Sequence, residues 1–193
     1  LAGLKISGAV AQRLYSAQAG QAVNLATSEI AAFNALQSDA PPMVRAQLQR
    51  MLLARYQAYR ASGLGGIPPY DRGSGGTTDL ASDLRKASQS SRLFEKYMPA
   101  SHAVTIGYSQ ATVAGMQQDF RWVSYNIEGK STYVLVHMLS AADGAARAIV
   151  QRHYYVSTGY NGQQAVAGFL PVQGGTLVVY AGHVFTDQVA GLG

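Results

Sequence analysis

The stretch from Arg147 to Asp187 constrains the chain most. It reads as three β segments joined by turns rich in glycine. Ile149 to Ser157 alternates, with Ile149, His153 and Tyr155 on one face and Val150, Arg152, Tyr154 and Val156 on the other, since strand side chains switch faces at each residue. Gly159, Asn161 and Gly162 interrupt it, because Gly and Asn tolerate positive φ. Ala165 to Val172 is a second apolar run, and Pro171, lacking an amide donor, belongs at a strand end or on an edge. Gln173-Gly174-Gly175 is a turn, and Thr176 to Phe185 is the third strand, with Gly182 marking a bulge or bend. Turns this short require an antiparallel meander, because parallel neighbours need a crossover of a dozen or more residues.

Upstream the period is helical. Met43 to Ser62 places Val44, Leu48, Met51, Leu52 and Tyr59 in one apolar stripe, opened by Pro41-Pro42 and stopped by Gly63. Ala17 to Ala35 suits a helix by propensity. Lys5 to Tyr15 reads as a first strand weakened by Gly8. Thr78 or Asp79 caps a helix through Leu84, and Ser91 to Tyr97 forms a shorter one. From Val104 the period becomes two: Val104, Ile106 and Tyr108 read as a strand, followed by Asp119 to Ile127, a turn at Glu128-Gly129-Lys130, and Tyr133 to Leu139. Helices first and an antiparallel sheet after them make an α+β class. We expect a single domain over residues 1–193, with a helical part at about 17–98 and a sheet part at about 104–187. Thr186 or Asp187 is expected to cap a further helix beginning at Gln188.

Composition narrows the function classes. Apolar residues make up 48% of the 193 and charged residues only 13%, which excludes a disordered chain. The net charge of +5 is dispersed, so nucleic-acid binding is not expected. The absence of cysteine excludes disulfides and thiolate sites. No apolar run reaches the ~20 residues of a membrane-spanning helix. The glycines of Gly63 to Gly76 lack the Gly-Lys-Ser/Thr of a phosphate loop.

Four histidines, His102, His137, His153 and His183, lack helical metal-ligand spacing, and no metal or cofactor is expected. Ser157, His153 and Asp187 supply the residue types of a serine triad without its nucleophile elbow. Asp119 and Glu128 are the residue types of a carboxylate pair, although a turn carboxylate reads as surface charge. Arg55 falls in the apolar stripe of the long helix. Either its stem covers apolar surface while the guanidinium reaches water, or a buried cation meets a carboxylate or an anionic ligand head. The tyrosines of the strand region suit either sheet packing or a pocket with an apolar body and polar tips.

The long helix with AYRASGLGGIPPYDRG, and the end YYVSTGYNGQQAVAGFLPVQGGTLVVY followed by FTDQVAG, resemble an uncharacterised family of exported bacterial proteins. This resemblance implies export and carries no activity. In architecture the chain is also similar to the START-like, helix-grip superfamily, whose members often hold an apolar ligand between sheet and helix. The helix-grip resemblance implies a non-enzymatic protein that binds a small apolar or amphipathic molecule; the strand alternation and the apolar stripe supply Arg55, His153, Tyr155 and His183 as the expected ligand-binding residues. The His153/Tyr155 face is expected to meet His183 across the sheet. An exported scaffold without a small ligand and an unrecognised hydrolase are the alternatives.

Overall fold

The computed structural model describes residues 1, 3–21, 23–127 and 129–187. Among these residues six α-helices precede a meander. They are α1 (Gly8–Tyr15), α2 (Thr27–Asn34), α3 (Pro41–Ser62), α4 (Leu80–Ser90), α5 (Arg92–Tyr97) and α6 (Pro99–Gly107). A small hairpin of β1 (Tyr70–Gly73) and β2 (Gly76–Thr78) lies between α3 and α4. The main sheet comprises β3 (Gln117–Ile127), β4 (Lys130–Asp143), β5 (Ala146–Val156), β6 (Gly162–Val172) and β7 (Gly175–Phe185). Its spatial order is the sequence order, β3-β4-β5-β6-β7, and every pair is antiparallel. The expected α+β class and the continuous antiparallel sheet from Phe120 to Phe185 are both present.

The helix α3 carries the expected stripe. Val44, Leu48 and Leu52 are fully buried, with Met51, Arg55 and Tyr59 beside them. It ends at Gly63, whose φ of 56° is left-handed; a Cβ there would lie 1.6 Å from the Tyr108 carbonyl oxygen, so no other residue fits. In α4, Asp79 is the cap, its carboxylate accepting from the Ser82 amide at 3.0 Å.

Three expected elements differ. Lys5 to Tyr15 is not a strand: Ser7 accepts from the Val10 amide and opens α1, which buries Val10, Ala11 and Leu14 on one side. The helix expected over Ala17 to Ala35 shrinks to Thr27–Asn34. Gly20 breaks it with a φ of 78°, packed so closely on β1 that a Cβ would lie 2.6 Å from the Arg72 carbonyl oxygen. Val104, Ile106 and Tyr108 are not a strand either. Pro99 starts α6, and Thr105 bonds back to the His102 carbonyl at 2.6 Å, so Ser101, His102, Val104 and Thr105 form a buried helical face. The sheet therefore begins at Gln117 and not near residue 104.

Gly182 causes no bulge, as β6 and β7 pair without a break from Gly162↔Phe185 to Val172↔Gly175. The irregularity lies two strands over. In β5, Leu135 faces Tyr155 and Val136 faces His153, leaving Tyr154 as an extra residue. The helix that Thr186 or Asp187 was expected to cap falls on 188–193, outside the described residues. The Asp187 carboxylate accepts from Arg72 Nε and Thr78 Oγ1, both at 2.6 Å.

All six helices lie on one face of the sheet. α1, α2 and α3 share a core with Tyr133, Leu135, Tyr154 and Tyr155, whereas α5 and α6 cover Leu139, Ala148, Val150 and Val166. The opposite face holds a smaller cluster of Val134, Val136 and Val156. Because Leu48 is wholly enclosed, Leu48→Ala should cost about 2–5 kcal/mol, measured as a lowered denaturation midpoint at unchanged m-value. A loss within 0.5 kcal/mol, on the order of a surface substitution, would contradict this packing.

Candidate functional site

The bulge in β5 decides where the expected ligand-binding residues go. By simple alternation His153 and Tyr155 share a face. The extra residue puts Tyr154 and Tyr155 both toward the helices. Tyr154 stacks on Tyr59 of α3, with ring centroids 4.1 Å apart, and the Arg55 guanidinium lies 4.4 Å from the centre of the Tyr155 ring. His153 is left on the opposite face, where Nδ1 lies 2.7 Å from the Tyr160 hydroxyl and Nε2 lies 2.9 Å from the Gln151 amide nitrogen. An amide nitrogen only donates, so Nε2 is the acceptor and Nδ1 carries the proton. His183 pairs with Gln164 on the helix side and lines a cleft with Phe94, Met98 and Val179. Only Arg55 and Tyr155 of the four expected residues therefore come together, and His153 and His183 lie on opposite faces of the sheet.

Arg55 resolves the two readings of a cation in an apolar stripe. It is 3% exposed and forms a two-pronged ion pair with Glu29 of α2, at 2.7 and 2.6 Å. Burial alone would lower its pKa; the Glu29 carboxylate more than offsets that and raises it. The same carboxylate accepts from the Ala26 amide at 2.7 Å, so one group caps α2 and neutralises α3. Arg55 also borders a shallow cleft between α2 and α3 lined by Ser28, Gln47 and Arg50.

The centre of the helix–sheet seam is filled by a polar network that sequence reading missed. Arg152, 2% exposed, donates to Gln164 Oε1 from Nε and Nη2, to the Tyr59 hydroxyl from Nη1, and to the Thr105 carbonyl from Nη2, at 2.6–3.0 Å. The Gln164 amide donates to Ser88 on α4, and His102 Nε2 donates to the Ser88 carbonyl. Tyr59 accepts from Arg152, so its own proton goes to His137 Nδ1, 3.0 Å away. The neutral His137 ring then carries its hydrogen on Nε2, which is buried and has no partner among the described residues. The available signal was Arg152, a cation alternating with the apolar Val150 and Tyr154; Gln164, between half-buried Gln163 and Ala165, offered none.

Two clefts flank this filled centre. One, of about 320 Å³, runs between α3 and β3–β5; Leu52, Leu53, Tyr56, Phe120, Trp122 and Tyr154 wall it. The other, of about 310 Å³, lies between α5 and β6–β7 and contains His183. At the first, Arg60 stands over the Tyr56 and Phe120 rings at 5.8 and 5.6 Å, and Arg121 borders the opening.

The triad residue types are not assembled. Ser157 Oγ accepts from the Tyr133 amide, His153 is bound by Gln151 and Tyr160, and Asp187 is bound by Arg72 and Thr78. Asp119 pairs with its strand neighbour Arg121, and Glu128 lies outside the described residues. No group of three or more His, Asp or Glu that could hold a metal occurs among the described residues, and no helix there is long and apolar enough to cross a membrane.

Burial pushes the His153 pKa down to about 4; burial, and then the charge of Arg152, push His137 down to about 3. In the unfolded chain both take up a proton near pH 6.5. The stability contributed by two neutral rings is therefore complete above that pH and is lost as pH falls toward the folded values, because the unfolded state binds more protons across that window. The expected slope is roughly 1.4 kcal/mol per pH unit for each histidine. Tm should decline between about pH 6.5 and pH 4, and more gently in His153→Asn; identical slopes for the two proteins would refute this assignment.

No family model, curated protein or solved structure matches this chain, so its function is read from its clefts and surfaces.

Proposed function

We propose that this protein is a non-enzymatic binding protein for a small amphipathic molecule, held in the cleft between α3 and β3–β5. The observation that carries the reading is the wall of that cleft. Four aromatic rings (Tyr56, Phe120, Trp122 and Tyr154) and four leucines (Leu1, Leu52, Leu53 and Leu135) surround about 320 Å³, near the lower end of the roughly 300–1,000 Å³ of ligand sites. A ligand body binds there by leaving water, at about 25 cal/mol for each Å² of apolar surface buried. Arg60 stands at the mouth over the Phe120 ring, while Arg121 there is already paired with Asp119, so a carboxylate-like head gains charge complementarity from Arg60 as the apolar body enters.

The cleft lies at the seam of helices and sheet, where the helix-grip resemblance places a ligand. Its wall is built from Leu1, α3 and β3–β5 and includes none of Arg55, His153, Tyr155 and His183. The alternative of an interaction protein draws support from a separate feature, the apolar edge of the sheet.

Trp122 is the single tryptophan of the chain and lines the cleft, so it reports on occupancy directly. Titrating dodecanoate into protein stripped of co-purified lipid should give a saturable change in Trp122 emission. Tyr56→Ala, which removes one half-buried wall residue, should weaken binding about tenfold, or ~1.4 kcal/mol. The absence of any saturable change in the wild type, or equal affinity in Tyr56→Ala, would overturn the assignment to this cleft.

A further inference from the structure

The two edges of the main sheet differ in kind. The β3 edge carries an exposed Asp119–Arg121 ion pair, with the side chains 49% and 67% exposed. Charges of this sort keep an edge from pairing with another chain. The β7 edge carries none. From Gly175 to Phe185 it has no Asp, Glu, Lys, Arg or Pro, it runs unbroken for 11 residues, and among the described residues no strand pairs with its outer side. Roughly half of its backbone N–H and C=O groups point away from β6, as in any edge strand.

The exposed apolar side chains gather at the same place. Leu177, Val178, Tyr180 and Val184 on β7 are 52%, 56%, 71% and 61% exposed; Val172 at the β6 end of the hairpin is 50%, and Leu93 of α5, across the adjoining cleft, is 63%. A sheet facing water ordinarily alternates apolar residues inward with polar ones outward. Here both faces of the edge strand are apolar.

We infer that β7 is a dimerisation strand, pairing antiparallel with β7 of a second copy to join two five-stranded sheets into one of ten. A two-fold axis through Ala181 sets Val178 opposite Val184, Val179 opposite His183, and Tyr180 opposite Gly182. The Tyr180 ring already leans over Gly182 of its own strand, where a Cβ would come within 3.0 Å of its hydroxyl, so the two rings meet over the paired glycines. Glycine is what keeps this space open. No like charges oppose each other at any position of the pair. The exposed parts of Leu177, Val178, Tyr180 and Val184 on the strand come to on the order of 400 Å² per copy, to which the strand backbone adds, against about 800 Å² per partner in a standard stable interface. Closed two-fold pairing satisfies the edge in both copies at once and leaves no open end for a fibre.

Light scattering after size exclusion, with the full chain at tens of micromolar, should report a dimer. Val178→Lys and Tyr180→Lys, both at exposed positions, should each weaken it at least 100-fold while circular dichroism is unchanged and Tm matches the wild type at concentrations dilute enough for every variant to be monomeric. Because the chain has no cysteine, Ala181→Cys is a clean test of register: its two copies should form a disulfide under mild oxidant, and Asp119→Cys on the other edge should not. A monomeric wild type, a dimer insensitive to both lysines, or cross-linking only through Asp119→Cys would overturn the inference. The dimer is read independently of the cleft ligand, so either result leaves the dodecanoate titration to stand on its own.

Discussion

The guanidinium of Arg152 ties the helical layer to the sheet. It is a full positive charge in the interior with no carboxylate partner among the described residues, supported only by neutral acceptors from α3, α6 and β6. Such a group costs several kcal/mol to desolvate, and its hydrogen bonds must be complete to compensate. Three acceptors from three elements have to arrive together. A slip of α3 by one turn, or of β6 by one residue, would leave the charge bare. The arrangement thus selects one packing of the helices against the sheet, where an apolar filling of equal volume would tolerate several. Arg55 poses the same problem and meets it differently, with a carboxylate that is also the N-terminal cap of α2.

Arg72 works at the rim in a similar way. It joins the β1–β2 hairpin to Asn24, Asn161 and Asp187. Asn24 in turn donates to the carbonyls of Val156 and Tyr160, holding the end of β5 and the loop after it. The short hairpin is too small to be stable alone. Its position follows from these contacts and from Tyr70, whose hydroxyl reaches the Asn161 carbonyl at 3.0 Å.

The sheet was legible because its signals are local. Turn glycines, period-two alternation and short connections all agree over β4 to β7, and the stripe, prolines and Gly63 agree over α3. The misread elements are those where local signals conflict or are overruled. β-branched Val104 and Ile106 suggest a strand, but Pro99 and the Thr105 back-bond commit the segment to helix. Alanine-rich sequence before α2 favours helix, but the approach of Gly20 to β1 is a long-range constraint that no window of sequence contains. The site was less legible for the same reason. Arg55 stood out as a cation in an apolar stripe, whereas its partner Glu29 lies 26 residues away on another helix. The aromatic wall combines Tyr56, Phe120, Trp122 and Tyr154 from three elements, each of which looks like ordinary core alone.

The extra residue in β5 has a consequence for how this strand tolerates change. Ala146 to His153 and Tyr155 to Val156 obey opposite parities, so the strand is written in two reading frames joined at Tyr154. Deleting that single residue would restore a uniform alternation and would look like a repair. It would leave Arg152 and Tyr155 on the helix side and His153 opposite, with the pairing of both halves to β4 intact, and would remove only the ring that stacks on Tyr59 and walls the cleft. The irregularity therefore adds one inward ring to a strand whose two halves already agree, and the cleft owes part of its wall to that insertion.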